Sequence, residues 1–364
     1  MIKPKVHFYF VDALRGIAAL WVVLSHAALD GRIAALTGSL PQWFATFVFD
    51  WGTLGVAIFF VLSGFVIAHS LREAKVDLLY TGYFSLRRLA RLNPPYYVSI
   101  LVVLGFGFLS SHLKGVPFEP MDQPLSFQRL LAHLFYLQEL LGFKNINDVY
   151  WTLSLEIQFY LVFCGLLWLT QWLSSSRNIR FSRALVFVPS AILAALFPLG
   201  VFEDLGRPII FLPLWYGFLL GVFSYWSWYG QLNPVFFYLY SGFLVTTATA
   251  TASKFAIACV ITAIILLEVG RANRMHWLKW QGLQFLGRVS YSVYLTHTPI
   301  LGAVFFIGYK LLNRSVLSEA FCLFLGIIAC VGFATIMWYI VEKPSIALSQ
   351  QIKPAQKLEK PTPV

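Results

Sequence analysis

Apolar residues run along this chain in ten long blocks separated by short polar stretches. The blocks lie at roughly 8–29, 52–71, 95–112, 149–173, 184–201, 208–227, 234–251, 254–271, 288–311 and 318–343. Each is near the ~20 residues that, at about 1.5 Å per residue, carry a helix across the hydrocarbon core of a bilayer. The pattern predicts an all-α, polytopic integral membrane protein with about ten transmembrane helices. Residues 1–343 then form one transmembrane domain, and no soluble domain interrupts it. The tail 344–364 is rich in Pro, Lys and Gln and reads as a disordered cytoplasmic extension.

Two connections depart from the simple alternation. Residues 113–148 contain SFQRLLAHLFYLQELLGF, which is apolar at helical spacing but broken by Arg129, His133, Gln138 and Glu139. This predicts an amphipathic or re-entrant helix over the outer mouth. Residues 72–94 end in RRLARLNPPYY, where Pro94 and Pro95 should break the helix approaching the third block.

The charges orient the blocks. Lys3 and Lys5, then Arg72, Lys75, Arg87, Arg88 and Arg91, then Arg177, Arg180 and Arg183, then Arg271, Arg274, Lys279 and Arg288, and finally Lys343, Lys353, Lys357 and Lys360 all fall on one side of a ten-span chain. The opposite loops are acidic or mixed: Asp30, Arg32 and Asp50; Glu119, Asp122 and Glu139; Glu203, Asp204 and Arg207. Basic loops stay in the cytoplasm, so both termini are expected there.

Composition agrees. Of 364 residues, 59% are hydrophobic and 12% charged, half the charged share of a soluble globule (about 25%). The net charge of +11 is accounted for by these loops, without nucleic acid as a partner. Aromatic residues, at 17%, suit belts at the two interfaces. Cys164, Cys259, Cys322 and Cys330 lie inside apolar runs without CxxC or metal spacing, so they read as small core residues. The first block holds an arginine and shows no small-residue cleavage pattern, so it should be retained.

Candidate chemistry sits where charge enters the apolar blocks. The first block, FYFVDALRGIAALWVVLSHAAL, carries Asp12, Arg15 and His26. Ionisable groups inside a membrane helix are costly and mark functional sites by default. Arg15 and His26 are eleven residues apart, so they return to within roughly 20° of one face, about 16 Å apart along the axis. Asp12 sits one turn before Arg15 and can pair with it. The competing reading is a snorkelling arginine and an interfacial histidine.

Arg88 and Arg91 share a helix face beside Arg87, and planar guanidinium forks suit phosphate. Anchoring to lipid headgroups fits that cluster equally well. Glu156 in YWTLSLEIQFY lies about two turns into its block, at a depth comparable with His26. A carboxylate there can orient an imidazole base, or it can bond to Trp151 or Tyr160 for packing alone. Tyr291, Tyr294 and His297 follow at three-residue spacing, with Pro299 expected to bend the helix near the histidine. The remaining histidines lie in loops or at block ends, where no special role is needed. Small residues Gly55, Ala57, Ser63 and Gly64 predict close helix contact in the second block.

VDALRGIAALWVVLSHA, GVAIFFVLSGF, RRLARLNPPYY, WTLSLEIQFYL and SYSVYLTH occur in that order. Together they resemble the acyltransferase 3 family, membrane O-acyltransferases of surface polysaccharides and related acceptors. The resemblance spans about residues 8–343. It implies that His26 is catalytic, with Arg15 as its arginine eleven residues earlier. It implies that Arg88 and Arg91 are the paired arginines before the third block, and that Glu156 is the acidic residue of the fourth. Ala13, Ala57, Ile157 and Thr296 stand where the family frequently has Gly, an acidic residue, Glu and Trp. None of these is a residue of the core site.

The expected protein is therefore an acyl-CoA-dependent O-acyltransferase of the bacterial cytoplasmic membrane. Acetyl-CoA or another acyl-CoA is the donor, no metal is needed, and a glycan or lipid-linked sugar is the acceptor. The expected site is His26, Glu156, Asp12 and Arg15 for catalysis, Arg87, Arg88 and Arg91 for the coenzyme, and Trp151, Tyr291 and His297 for the acceptor. His26 either acts as general base or carries the acyl group as a covalent relay. A macrolide acceptor and a non-enzymatic glycan transporter remain as alternatives.

Overall fold

The structure is a computed structural model that describes residues 7–174, 178–202 and 208–352. Its helices, in chain order, are α1 (Tyr9–Ala28), α2 (Ala34–Ser39), α3 (Gln42–Ala45), α4 (Gly55–Ser70), α5 (Leu78–Lys114), α6 (Phe127–Leu134) and α7 (Trp151–Ser174). They continue with α8 (Ile179–Ala195), α9 (Trp215–Trp228), α10 (Pro234–Ala250), α11 (Lys254–Arg271), α12 (Gln281–Leu311), α13 (Val316–Met337) and α14 (Lys343–Gln351). No strand occurs among the described residues.

Each of the ten apolar blocks contains a helix, and among the described residues six segments, not ten, are long and apolar enough to cross a bilayer. They are Tyr9–Gly31, Gln42–Ser70, Leu78–Lys114, Asp148–Ser174, Gln281–Leu311 and Val316–Gln351. Of the four others, α8, α9 and α10 have 17, 14 and 17 residues, and the 18 of α11 include Lys254, Glu268 and Arg271. The 14 residues of α9 span only about 21 Å, and every residue from Trp215 to Ser227 is buried against other helices rather than lipid. Apolarity in such a helix reports protein burial, which a sequence does not distinguish from lipid exposure.

Polar caps start several helices. The Asp77 side chain accepts from Tyr80 N at 2.7 Å to start α5, and Asn233 with Pro234 starts α10. Ser315 and Ser318 form a reciprocal capping box at α13. At its far end α5 stops at Gly115, whose φ of +67° suits a residue without a Cβ.

Glycines set the helix approaches that matter for the site. A Cβ at Gly16 would lie 2.8 Å from the Gly287 nitrogen, so α1 and α12 meet backbone to backbone. Gly55 is as close to α1, where its Cβ would lie 2.6 Å from the Ala18 carbonyl oxygen. Gly64 meets the Phe218 carbonyl of α9. The small residues of the second block thus do bring helices together, except that Ser63 donates its hydroxyl to Glu156 (3.0 Å). The four cysteines are free and buried.

Pro94 and Pro95 do not break the chain: α5 runs through them as one 37-residue helix. Side-chain hydrogen bonds surround this stretch. The Tyr291 hydroxyl donates to the Leu92 carbonyl (3.0 Å). The Asn93 side chain donates to the Tyr97 hydroxyl (2.9 Å) and accepts from the Tyr136 hydroxyl (2.8 Å). Pro299 is likewise carried inside α12. It cannot donate to the Leu295 carbonyl one turn back, and Asn147 Nδ2 donates there instead (3.4 Å), while Asn147 Oδ1 accepts from the Thr298 hydroxyl (2.8 Å).

The loop helix predicted within 126–143 is shorter, Phe127–Leu134, followed by turns. The polar residues that interrupt its pattern are buried. The fully buried Arg129 guanidinium donates to the carbonyls of Gln123, Pro120, Lys144 and Asn145. His133 is also fully buried. Its Nδ1 donates to the Arg129 carbonyl (2.7 Å) and its Nε2 accepts from Ile146 N–H (2.9 Å). Burial holds this imidazole down at about 4, so it stays neutral. At the C-terminus the chain continues in helix to Gln351, past the boundary at 343, and residues 353–364 lie outside the described residues.

Candidate active site

Two cavities hold six of the ten expected site residues. The first is about 110 Å³, the room of a few water molecules, and sits where α1, α4, α5, α7 and α12 converge. Its walls carry Arg15, Arg88, Arg91, Glu156, Tyr160 and Tyr291. Arg88 lies over the rings of Tyr160 (5.0 Å) and Phe84 (5.5 Å), which fix a guanidinium plane by cation–π contact. Glu156 accepts from the Tyr160 hydroxyl and from Ser63 Oγ. The cavity therefore gathers three guanidinium groups over a carboxylate already committed to hydroxyl donors. Chemically, that is an anion site.

The second cavity is about 1350 Å³ and opens at the other end of α1. His26 lines it, together with Asn147, Asp148, Thr298, Lys310 and Arg314. His26 Nδ1 lies 2.9 Å from the Val22 carbonyl, so it carries the proton and leaves Nε2 as the basic nitrogen. The His297 ring meets the His26 ring edge-on, centroids 4.8 Å apart. His297 is fully buried, and its Nδ1 points at the carbonyls of Val293 (3.1 Å) and Tyr294 (2.9 Å).

Two expected contacts differ. Glu156 does not sit with His26: it lines the arginine cavity, and His297 is the ring beside His26. Equal depth along two helices did not mean one site: the chain before α7 lines the His26 chamber at Asn147 and Asp148, but Glu156 lies on the arginine cavity. Asp12 faces His7 (Nε2 to Oδ2, 3.2 Å), and no ion pair joins it to Arg15 among the described residues. Gly287 packs against the Asp12 backbone, which turns that part of α1 towards α12 while Arg15 faces the cavity. Arg87 is exposed and lines neither cavity. Trp151 also lines neither and packs edge-on against Phe60 (6.4 Å).

Two residues of this region escape a sequence reading. Asn147 takes both the carbonyl freed by Pro299 and the Thr298 hydroxyl, next to His297. A proline inside an apolar block is the only hint that such a partner exists. Glu342 is 2% exposed at the end of the last apolar block and accepts from Ser292 Oγ at 2.6 Å. A carboxylate ending a membrane block was its signal. Among the described residues no group of three His, Cys, Asp or Glu converges as metal ligands.

Comparisons with known proteins address the same stretch of chain. The family model for the acyltransferase domain matches residues 8–339. Nodulation protein 10 of Rhizobium leguminosarum bv. viciae is 25% identical over 372 residues, 93% of each chain. The peptidoglycan O-acetyltransferase OatA of Listeria monocytogenes serovar 1/2a is 23% identical over 337 residues, 80% of this chain and 49% of that one. Protein 2 in picA locus of Rhizobium radiobacter is 32% identical over 122 residues, 33% of this chain and 55% of that one. The chain thus spans about half the length of the last two. No solved structure matches. With the family model covering both cavities and all but the ends of the sequence, this multi-pass membrane chain belongs to the acyltransferase 3 family.

Proposed function

We propose that this protein is a membrane O-acyltransferase that moves an acyl group, acetyl foremost, from cytoplasmic acyl-CoA to a hydroxyl of a glycan on the extracytoplasmic side. The observation that carries the reading is α1. It presents Arg15 to an arginine-lined cavity and His26, eleven residues and about 16 Å along, to a large chamber. An anionic donor and a bulky neutral acceptor need two such sites. The small cavity takes one end of a donor, not a whole nucleotide.

In this reading Arg88 and Arg91 bind coenzyme phosphates, with Glu156 and Tyr160 holding the Arg88 plane. The coenzyme's thioester arm runs along α1 towards His26. The acceptor hydroxyl attacks the thioester carbonyl while His26 Nε2 takes its proton. The coenzyme thiolate leaves and recovers that proton as a thiol. The relay version has Nε2 attack first, so that an acyl-histidine forms and the hydroxyl then takes the acyl group. His297 supports the His26 ring in either version. Ten spans with both termini in the cytoplasm, in the bacterial inner membrane, belong to the same proposal. They are supported by the basic loops flanking the arginine end.

The test is acyl transfer by the purified protein. Labelled acetyl-CoA is supplied with peptidoglycan fragments, lipid-linked oligosaccharides and a macrolide in turn. Label on an acceptor hydroxyl, released by mild base, is the expected result. No labelled product from any acceptor, with glycan movement across vesicles instead, would establish a transporter.

A further inference from the structure

The mouth of the His26 chamber is basic. α1, α5 and α12 each line the small cavity with their earlier residues and the chamber with their later ones, so all three run the same way. On α12 the chamber reaches from Thr298 to Lys310, about 18 Å along the axis. On α5 it reaches from Val103 to Lys114, about 17 Å. His26 and Thr298 mark its floor, where Asn147 accepts from the Thr298 hydroxyl (2.8 Å) and His297 meets the His26 ring. Lys114 and Lys310 mark its mouth, with Arg314 in the turn between α12 and α13. Phe306 gathers the two lysines: Lys310 Nζ lies 4.5 Å and Lys114 Nζ 5.7 Å from the centroid of its ring. The Arg314 guanidinium lies 4.5 Å from the centroid of the Tyr309 ring. All three cations are exposed, and among the described residues no ion pair joins any of them to a carboxylate. The acidic groups of this region are committed or set deeper. Asp30 pairs with Arg32 (3.2 Å), and Glu319 accepts from Leu36 N–H (2.8 Å). Glu119 and Asp122 lie on the loop that Arg129 pins through the Pro120 and Gln123 carbonyls. Phe118 of that loop packs at Gly107, two turns below Lys114. Asp148 adjoins Asn147 at the floor. Elsewhere the chain gathers its basic residues at the arginine end, where retention of basic loops accounts for them. That rule does not account for three cations at the opposite end of these helices.

We propose that Lys114, Lys310 and Arg314 form an anion subsite that holds an acidic group, a phosphate or a carboxylate, on the acceptor glycan, several sugar units from the hydroxyl that reacts at His26. The inference rests on the reading of the chamber as the acceptor site. Ammonium and guanidinium groups that converge without a counter-charge bind such groups through charge-assisted hydrogen bonds. The neutral stretch of the acceptor lies on the floor, where Asp148 disfavours an anion and accepts from sugar hydroxyls. The acidic group stays at the mouth. Its position fixes which end of the glycan enters and how far, and so which hydroxyl meets His26.

The test is calorimetric binding of two matched pairs of soluble probes to the full chain, in detergent free of anionic lipid. One pair is a uronic acid tetrasaccharide and its carboxyl-reduced form. The other is a tetrasaccharide 1-phosphate and the same tetrasaccharide without phosphate. The acidic member of at least one pair should bind about tenfold more tightly than its neutral partner, since each exposed charge contact is worth a fewfold. That preference should shrink as salt is raised. It should vanish when Lys114→Gln, Lys310→Gln and Arg314→Gln are combined, while the neutral probes bind as before. These side chains are exposed, so the variant should melt like the wild type. Lys144→Gln removes an exposed lysine that lines neither cavity and should leave the preference unchanged. Preference in the first pair assigns the charge to an acidic sugar, and preference in the second alone assigns it to a phosphate at the end of the glycan. Equal affinities within both pairs, including no binding by any probe, overturn the subsite. So does a preference that survives in the triple variant. A rim that only anchors lipid shows no preference in either pair, while anionic phospholipid raises the melting temperature of the wild type and not of the variant. Binding needs no acyl donor, which separates the two layers. Acidic preference without acyl transfer to any acceptor keeps the subsite and removes the transferase reading. Acyl transfer without acidic preference removes the subsite alone.

Discussion

His26→Gln should abolish acyl transfer while expression and coenzyme binding stay near wild type. The imidazole is the side chain whose ordinary pKa, about 6.5, lets it take a hydroxyl proton and return it near neutral pH. Its Nδ1 is committed to the Val22 carbonyl, so Nε2 is the nitrogen placed to act. Glutamine keeps a polar group of similar reach but is no base. Loss of a general base costs about a hundred- to ten-thousandfold in rate, and loss of a covalent relay costs more. His26→Ala should be equally inactive. A packing role predicts the reverse order: glutamine tolerated, alanine lost through poor folding. The coenzyme should bind both variants normally, because the arginine cavity lies at the other end of α1. Rates measured with saturating donor, beside a binding isotherm for each variant, distinguish the cases.

The double substitution Arg88→Ala with Arg91→Ala should weaken coenzyme binding by at least about a hundredfold, since one hydrogen bond to a charged group is worth ~1.5–3 kcal/mol. Lysine at both positions should recover only part of this. It keeps the charge but loses the planar fork, and at position 88 also the flat contact with the Tyr160 and Phe84 rings. The variant chains should remain folded in the membrane, because half-buried arginines facing a cavity contribute less to packing than the glycine contacts of α1 and α12. Calorimetry with coenzyme A reads the effect. Unchanged affinity in the double alanine variant would return the cluster to lipid anchoring.

Much of this site was legible because charge inside apolar blocks is rare enough to count residue by residue. Arg15, Arg88, Arg91 and Glu156 were each singled out that way, and they line one cavity. The helical periodicity of α1 placed Arg15 and His26 on one stripe, and the structure puts both on cavities. What periodicity cannot give is which helices meet. Glu156 was matched to His26 by depth, yet the approach of α1 and α12 at Gly16 and Gly287 put His297 beside His26. Local rules also failed where distant side chains took over. Pro94 and Pro95 predict a break, yet α5 continues through them as one helix. Arg129 and His133 look like loop polarity but clamp the loop backbone from inside. Among the described residues six segments are long and apolar enough to cross a bilayer, and at α9 the apolar residues face protein.

In the proposed reaction an acyl group passes from the arginine end of α1 to the His26 end, across the membrane. Sealed vesicles holding the wild-type protein in one orientation test it directly. Labelled acetyl-CoA is enclosed on the side of the arginine loops, and a glycan acceptor is added only on the side of the His26 chamber. Label should pass to the glycan while the coenzyme stays inside. If transfer instead requires acetyl-CoA and acceptor on the same side of the sealed membrane, the two-ended arrangement is contradicted.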